Sequence, residues 1–292
     1  MATYPSVHLL LQRALAGFAL AALPCCVVAG DRLAVTGGVT QVEGSAGGGL
    51  VPWALVTGYG TRDQSQLTAF TTNVTTDGFR LGSSGAAVGV KDRVEVSFAN
   101  QTFALGDTVP GVTIHQDVVG IKLKLSGDAV FDQDSAWPQL AVGLQRKRNR
   151  SFQFIPRLLG ARHGVGTDLY LSGTKLFLAG FGGRNLLLNA TVRATKANQF
   201  GILGFGGDRN DRYRLQAEVA AAVMVNDALA IGMEYRQKPD NLSVFREDDG
   251  WDLFLSWFPE KYLSLTAAYV DLGNIANKPK QRGFYFSAQG AF

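Results

Sequence analysis

The strongest constraint in this sequence is a period of two. Segments of about ten residues alternate in polarity, and successive side chains of a β-strand point to opposite faces. Tyr213, Leu215, Ala217, Val219, Ala221, Val223 and Val225 fall on one face, with Arg214, Gln216 and Glu218 on the other. Leu229, Ile231, Met233 and Tyr235 alternate with Ala230, Gly232, Glu234 and Arg236. Trp251, Leu253, Leu255 and Trp257 alternate with Asp252, Phe254 and Ser256, and Leu263, Leu265, Ala267 and Tyr269 repeat the pattern. Earlier in the chain Val119, Ile121, Leu123 and Leu125 oppose Gly120, Lys122 and Lys124. After Asp31 there is almost no helical periodicity. Serial strands of this kind are the signature of a transmembrane β-barrel.

Composition agrees. Charged residues are 18% of the chain, against roughly 25% in an average soluble domain, and glycines number 35 in 292. A helical polytopic membrane protein needs apolar runs of about 20 residues. One run comes close, from His8 to Asp31. It holds Arg13, an apolar core from Ala14 to Pro24, and small residues at Val27 and Ala29, the layout of a secretory signal peptide cleaved after Ala29. The expected organisation is a signal peptide over 1–29 and a barrel domain over 30–292. Cys25 and Cys26 leave with the leader, so the mature chain offers no disulfide, zinc-thiolate site or Cys nucleophile. The net charge of +4 is too small to argue for nucleic acid.

Fourteen strands are expected, over 33–43, 50–60, 66–75, 79–90, 93–104, 117–126, 138–147, 167–178, 185–196, 212–225, 228–237, 250–258, 262–272 and 282–292. The first, third and eighth are poorly patterned, so the count lies between twelve and fourteen. With the C-terminus at the periplasmic rim, connections must alternate short and long in fixed phase. Most do: 273–281, 238–249, 197–211 and 148–166 are long, while 259–261, 226–227 and 91–92 are short. The segment 127–137 and the loops near Asp77 and Gly47 break the rule.

The last strand carries Phe284, Phe286 and Phe292 on one face. A terminal aromatic on an alternating strand resembles the signal that the outer-membrane barrel assembly machinery reads. Trp251, Trp257, Phe258 and Tyr262 lie at expected strand ends, where aromatic girdles meet the membrane interfaces. The fold class is therefore all-β, an antiparallel up-and-down barrel of outer-membrane type.

Four stretches, Gly37–Leu50, Gln199–Arg212, Glu234–Asn241 and Ala268–Ile275, resemble a proteobacterial family of secreted proteins built on a domain of unknown function. The resemblance spans nearly the whole mature chain, implies an outer-membrane-type protein and brings no activity with it. Gly37–Leu50 also bears a fainter likeness to barrels of exopolysaccharide secretion.

Alternation assigns Lys122, Lys124, Lys147, Arg193, Arg214, Glu218, Glu234, Arg236 and Asp252 to the lumen. They either line a watery, anion-favouring pore or pair into a plug, with Arg214 on Glu234 and Glu218 on Arg236. Eight strands already suffice for an interior filled by side chains, so fourteen leave room for a channel unless a loop folds in. No catalytic set or metal site is legible and no cofactor is expected. His115 and His163 lie in expected outer loops 48 residues apart, without ligand spacing. Ser172 follows His163 without readable triad geometry. The acidic run Glu247-Asp248-Asp249 lacks an EF-hand pattern. The basic run Arg146–Arg150 enters an outer loop facing anionic headgroups or sugars. The leading expectation is a passive, porin-like channel for small polar or anionic solutes, in contact with outer-membrane lipid and lipopolysaccharide. The alternatives are a non-conducting barrel that binds an envelope polysaccharide or protein, and a lipid-modifying enzyme.

Overall fold

Twelve antiparallel strands close into a barrel. A computed structural model describes residues 37–60 and 62–292, and the expected signal peptide lies outside the described residues. Two short strands come first, β1 (Val39–Thr40) and β2 (Ala46–Gly47), paired only with each other. The wall begins with β3 (Ser65–Thr76), β4 (Arg80–Val90), β5 (Val94–Ala104) and β6 (Thr113–Ser126). It continues with β7 (Gln139–Asn149), β8 (Val165–Phe181), β9 (Arg184–Thr195) and β10 (Arg214–Asn226). It ends with β11 (Leu229–Arg236), β12 (Gly250–Glu260), β13 (Leu263–Asp271) and β14 (Arg282–Ala291). Each wall strand pairs with the next, and β14 pairs with β3 from Gly283↔Thr76 to Ala291↔Thr68. Closure leaves no unpaired edge, which a lipid environment requires.

Of the expected strands at 33–43 and 50–60, the described residues 37–43 and 50–60 are not part of the wall. Residues 37–60 are buried inside the barrel, where β1 and β2 form a small hairpin. The weakly patterned third and eighth segments are true wall strands, β3 and β8. The irregularity near Gly47 thereby has its own cause, since that turn belongs to the lumenal segment.

Alternation sorts the wall into two faces. Val119, Ile121 and Leu123 are 51%, 50% and 40% exposed, while Lys122 between them is 1% exposed. Across the wall the outward face is apolar, with Leu169, Val192, Val219, Ile231, Leu253, Leu255 and Phe286 among its residues. An apolar band outside and a polar lining inside define a barrel that stands in lipid.

Phe292 closes the seam, exchanging backbone hydrogen bonds with Leu67 at 3.2 and 2.8 Å. Its rim, here the inner rim, carries tight turns at 91–93, 182–183, 227–228 and 261–262. Lys91 and Asp92 both adopt positive φ, as a two-residue hairpin turn that matches strand twist demands. The segment 127–138 is the long exception there, packed on β8 through the Leu176 amide bonded to the Ala129 carbonyl at 2.8 Å. The opposite, outer rim carries 150–164 with the one-turn helix α1 (Ile155–Leu158), then 196–213, 237–249 and 272–281.

Phe284, Phe286 and Phe292 all face outward. At the outer end Trp251, Tyr269 and Phe284 form a ladder, with ring centroids 6.1 and 5.9 Å apart. Trp257 and Tyr262 are outward near the inner rim. Phe258 corrects the expectation of a girdle residue. It is buried and packs on Val39 in the lumen, because the residue after an outward Trp257 must point inward.

A cation placed mid-band should cost about 2–4 kcal/mol, falling to about 0–1 at an interface. Leu255→Arg is expected to lower folding stability in lipid vesicles by the larger amount, and Tyr262→Arg by the smaller. Urea titration of folding measures both; equal costs would contradict the outward assignment.

Candidate functional site

The site is the filled lumen. Residues 37–60 comprise 24 residues with eight glycines and one charge, Glu43. Three cations from three strands converge on that carboxylate. Lys147 of β7 pairs with it directly, Arg236 of β11 lies at 3.1 Å and Arg193 of β9 at 3.8 Å. Two wall acids share the cations: Asp168 meets Lys147 at 2.7 Å and Arg193 at 3.5 Å, and Glu218 meets Arg193 at 2.5 Å and Arg236 at 3.2 Å. Three positive and three negative charges thus close a buried, neutral cluster, and the wall alone supplies only two of the acids.

Other wall groups hold the segment mostly by its backbone. Glu95 and Lys122 are ion-paired at 3.3 Å. Glu95 accepts from the amides of Ala46 and Thr57 at 3.1 and 2.9 Å, and Lys122 donates to the carbonyls of Ala46 and Leu55 at 2.8 and 2.9 Å. Ser83 and Gln101 both donate to the Val42 carbonyl, at 2.6 and 2.7 Å. Glu234 accepts from the Leu50 amide at 2.6 Å. This approach needs a glycine next door: a Cβ on Gly48 would sit 1.9 Å from Glu234 Oε1. Trp53, Leu50, Val51 and Leu55 fill the remaining space against Phe254, Leu187 and Leu176.

A lid closes the outer mouth. Residues 197–207 fold inward, with Gln199 and Phe200 in the left-handed region, uncommon for non-glycine residues. The fold imposes it, because the Phe200 carbonyl accepts from Lys147 at 3.3 Å while the Phe200 ring lies 4.2 Å from the Arg236 guanidinium. His163 and Phe205 exchange backbone hydrogen bonds at 3.0 and 2.9 Å, joining two outer loops. Lys238 reaches the Gln199 side chain and the Leu272 carbonyl at 2.8 and 2.7 Å, and lies 3.5 Å from Glu247.

The residues singled out by alternation divide as follows. Lys147, Arg193, Glu218 and Arg236 meet in the cluster, Lys122 clamps the segment, and Lys124 pairs with Asp92 at 2.7 Å near the inner rim. Glu234 and Asp252 are inward register partners with no cation partner among the described residues. Arg214 is a correction. It shares the parity of Glu218 but stands exposed where β10 rises above the packed interior, so the pair with Glu234 does not form. Glu218 with Arg236 does form, as register partners on β10 and β11. Ser172 bonds Thr191 and the Pro52 carbonyl, at 2.8 and 3.2 Å, and His163 bonds Asp211 at 3.0 Å, so the structure does not unite them. Glu247 and Asp249 are structural rather than solvated: Glu247 accepts from the Gln199 amide at 2.9 Å and Asp249 from Tyr235.

Glu43, Glu95, Asp168, Tyr170, Phe200 and Lys238 were not singled out by sequence. For Glu43 a signal exists, a lone acid in a glycine-rich run that otherwise carries no charge.

Removing one member of a buried ion cluster leaves its partners unpaired, at about 3–5 kcal/mol. Glu43→Ala is therefore expected to loosen residues 41–50 and spare the wall. Hydrogen exchange checks this; unchanged protection at 41–50 would contradict it.

The lid carries a pH dependence. Burial, outweighing the attraction of Lys238, pushes the Glu247 carboxyl up to about 7 from an ordinary 4.5, and its Oε2, 3.5 Å from Lys238 Nζ, has no hydrogen-bond partner among the described residues. A raised acid stabilises the folded lid fully below pH 4.5, and that contribution is lost as pH rises through 7. Protection of the Gln199 amide, corrected for intrinsic exchange, is expected to be greater at pH 5 than at pH 8. Glu247→Gln should flatten the difference.

Three solved outer-membrane barrels are similar to this chain. The chain is similar to the KdgM porin, with a TM-score of 0.48 and 10% identity over 77% of this chain and 99% of that one. It is similar to the NanC porin, with a TM-score of 0.47 and 8% identity over 77% and 98%. It is also similar to the outer membrane protein Omp33 of Acinetobacter baumannii, with a TM-score of 0.45 and 9% identity over 80% and 100%. The likeness is one of fold. No curated protein matches the sequence. Residues 36–289 match the model of one family, described as protein of unknown function (DUF3034), and the chain belongs to that family.

Proposed function

We propose that this protein is a porin-like channel of the outer membrane for small polar or anionic solutes, non-enzymatic, and closed at rest by its own residues 37–60. The signal segment 1–29 would direct it through the inner membrane, and the outward phenylalanines of β14 would be read by the barrel assembly machinery. Exposed Arg146 and Arg148, above the apolar band of β7, would face lipopolysaccharide phosphates.

One observation carries the reading. The wall acids Asp168 and Glu218 leave one positive charge of Lys147, Arg193 and Arg236 unmatched, and a separate segment, whose two ends lie at the same rim, supplies the third acid. A structural plug would need no such arrangement, because wall residues could pair among themselves. With the segment withdrawn, Lys147, Arg193 and Arg236 face only Asp168 and Glu218, which biases the lumen towards anions. The buried state of the lumen favours a second reading, a non-conducting barrel that binds an envelope polysaccharide or protein.

Planar bilayers separate the two. The full-length protein should show infrequent discrete openings, made more frequent by Glu43→Gln. In a folded barrel lacking 37–60, Arg236→Gln should lower the preference for anions over cations. If neither full-length form ever conducts, the non-conducting reading stands instead.

A further inference from the structure

The cluster around Glu43 joins one carboxylate of the lumenal segment to cations of the wall. Three cations on three strands converge on one carboxylate that belongs to no wall strand, while the wall acids Asp168 and Glu218 are already engaged with the same cations. Aromatic faces flank it. The Arg193 guanidinium lies 5.1 Å from the Tyr170 ring centre, and that of Arg236 lies 4.2 Å from the ring centre of Phe200. Guanidinium forks suit planar carboxylates, and aromatic walls suit the carbon body attached to one.

The remaining contacts of the segment differ in kind. Its backbone amides and carbonyls at Ala46, Leu50, Ala54, Leu55 and Thr57 meet wall side chains, and water satisfies such groups when the segment leaves. The positive charge uncovered by Glu43 is different, since it calls for an anion in the same place.

Resting on the channel reading, we propose that Glu43 substitutes for the carboxylate of the solute: Lys147, Arg193 and Arg236 form a binding site for small organic acids, which take it over when residues 37–60 withdraw. A solute that binds only the withdrawn state shifts the population towards it, so its carboxylate both selects and opens the path. Glu43 is then an autoinhibitory ligand presented on the tip of a loop, ahead of Gly44 at φ 95°.

The test uses the full-length protein in planar bilayers with sodium gluconate and with sorbitol, a neutral polyol of the same carbon number. Gluconate should raise the open fraction of the native protein by about tenfold at ten times its dissociation constant from the open state, and sorbitol should not. Glu43→Gln should start more open and respond less. Labelling of Ser45→Cys by a water-soluble thiol reagent, with Cys25 and Cys26 replaced by serine, gives a readout independent of current; gluconate should accelerate it. If Glu43→Gln opens the channel while gluconate acts no differently from sorbitol on current and labelling, the channel reading stands and the carboxylate site is overturned. If neither protein conducts and labelling ignores gluconate, both fall.

Discussion

A buried cation needs a countercharge, and the interior of this barrel is organised by that requirement. Lys147, Arg193 and Arg236 project into the lumen at its outer third, where Asp168 and Glu218 supply two negative charges. Glu43 supplies the third. Its position fixes the tip of the lumenal segment, and the same cations fix the lid, since Lys147 donates to the Phe200 carbonyl and Arg236 stacks on the Phe200 ring. The inner and outer closures therefore share their anchors. A change that unseats Glu43 frees a hydrogen-bond donor and an aromatic platform of the lid together.

Volume is the second requirement. Twelve strands enclose more than their own side chains fill, so the lumen must hold either water or more chain. The chain supplies a segment thin enough to fit beside the wall. Its glycines permit backbone-to-carboxylate contact, as at Gly48 beside Glu234, and Trp53 with its aliphatic neighbours fills the space that backbone leaves. Glycine also recurs in the wall opposite large rings, where Gly143 lies under Tyr170.

Much of the wall was legible because alternation is a local property that closure preserves. The two faces of β6 and β10 to β14 follow from it directly, and so do the inward positions of Lys122, Lys147, Arg193, Glu218 and Arg236. The lumenal segment was misread because a glycine-rich run with scattered Val and Leu satisfies a weak strand pattern without joining a sheet. Arg214 was misread because parity states which way a side chain points and nothing about how far the strand extends past the packed interior. Phe258 was grouped with Trp257 because both lie at one strand end, although their adjacency places them on opposite faces. The meeting of Glu43 with Arg236, 193 residues apart, has no local signature at all. All four stretches that carry the family resemblance supply residues to the segment, the lid or their receptors, including Glu43, Phe200, Arg236, Lys238 and Leu272.

The two ends of residues 37–60 share the inner rim. Gly37 lies beside Gly58 and Tyr59, Val39 packs on Phe258, and the Tyr59 amide bonds Gln66 at the foot of β3. A loop hung this way crosses no strand ladder and threads no ring. On the channel reading it is drawn out and returned like a bolt on one side of a door, with every inter-strand hydrogen bond of the wall untouched. The seam between β3 and β14 joins opposite ends of the chain, so the bolt is hinged at the first wall strand, and the last wall strand is laid down beside that hinge.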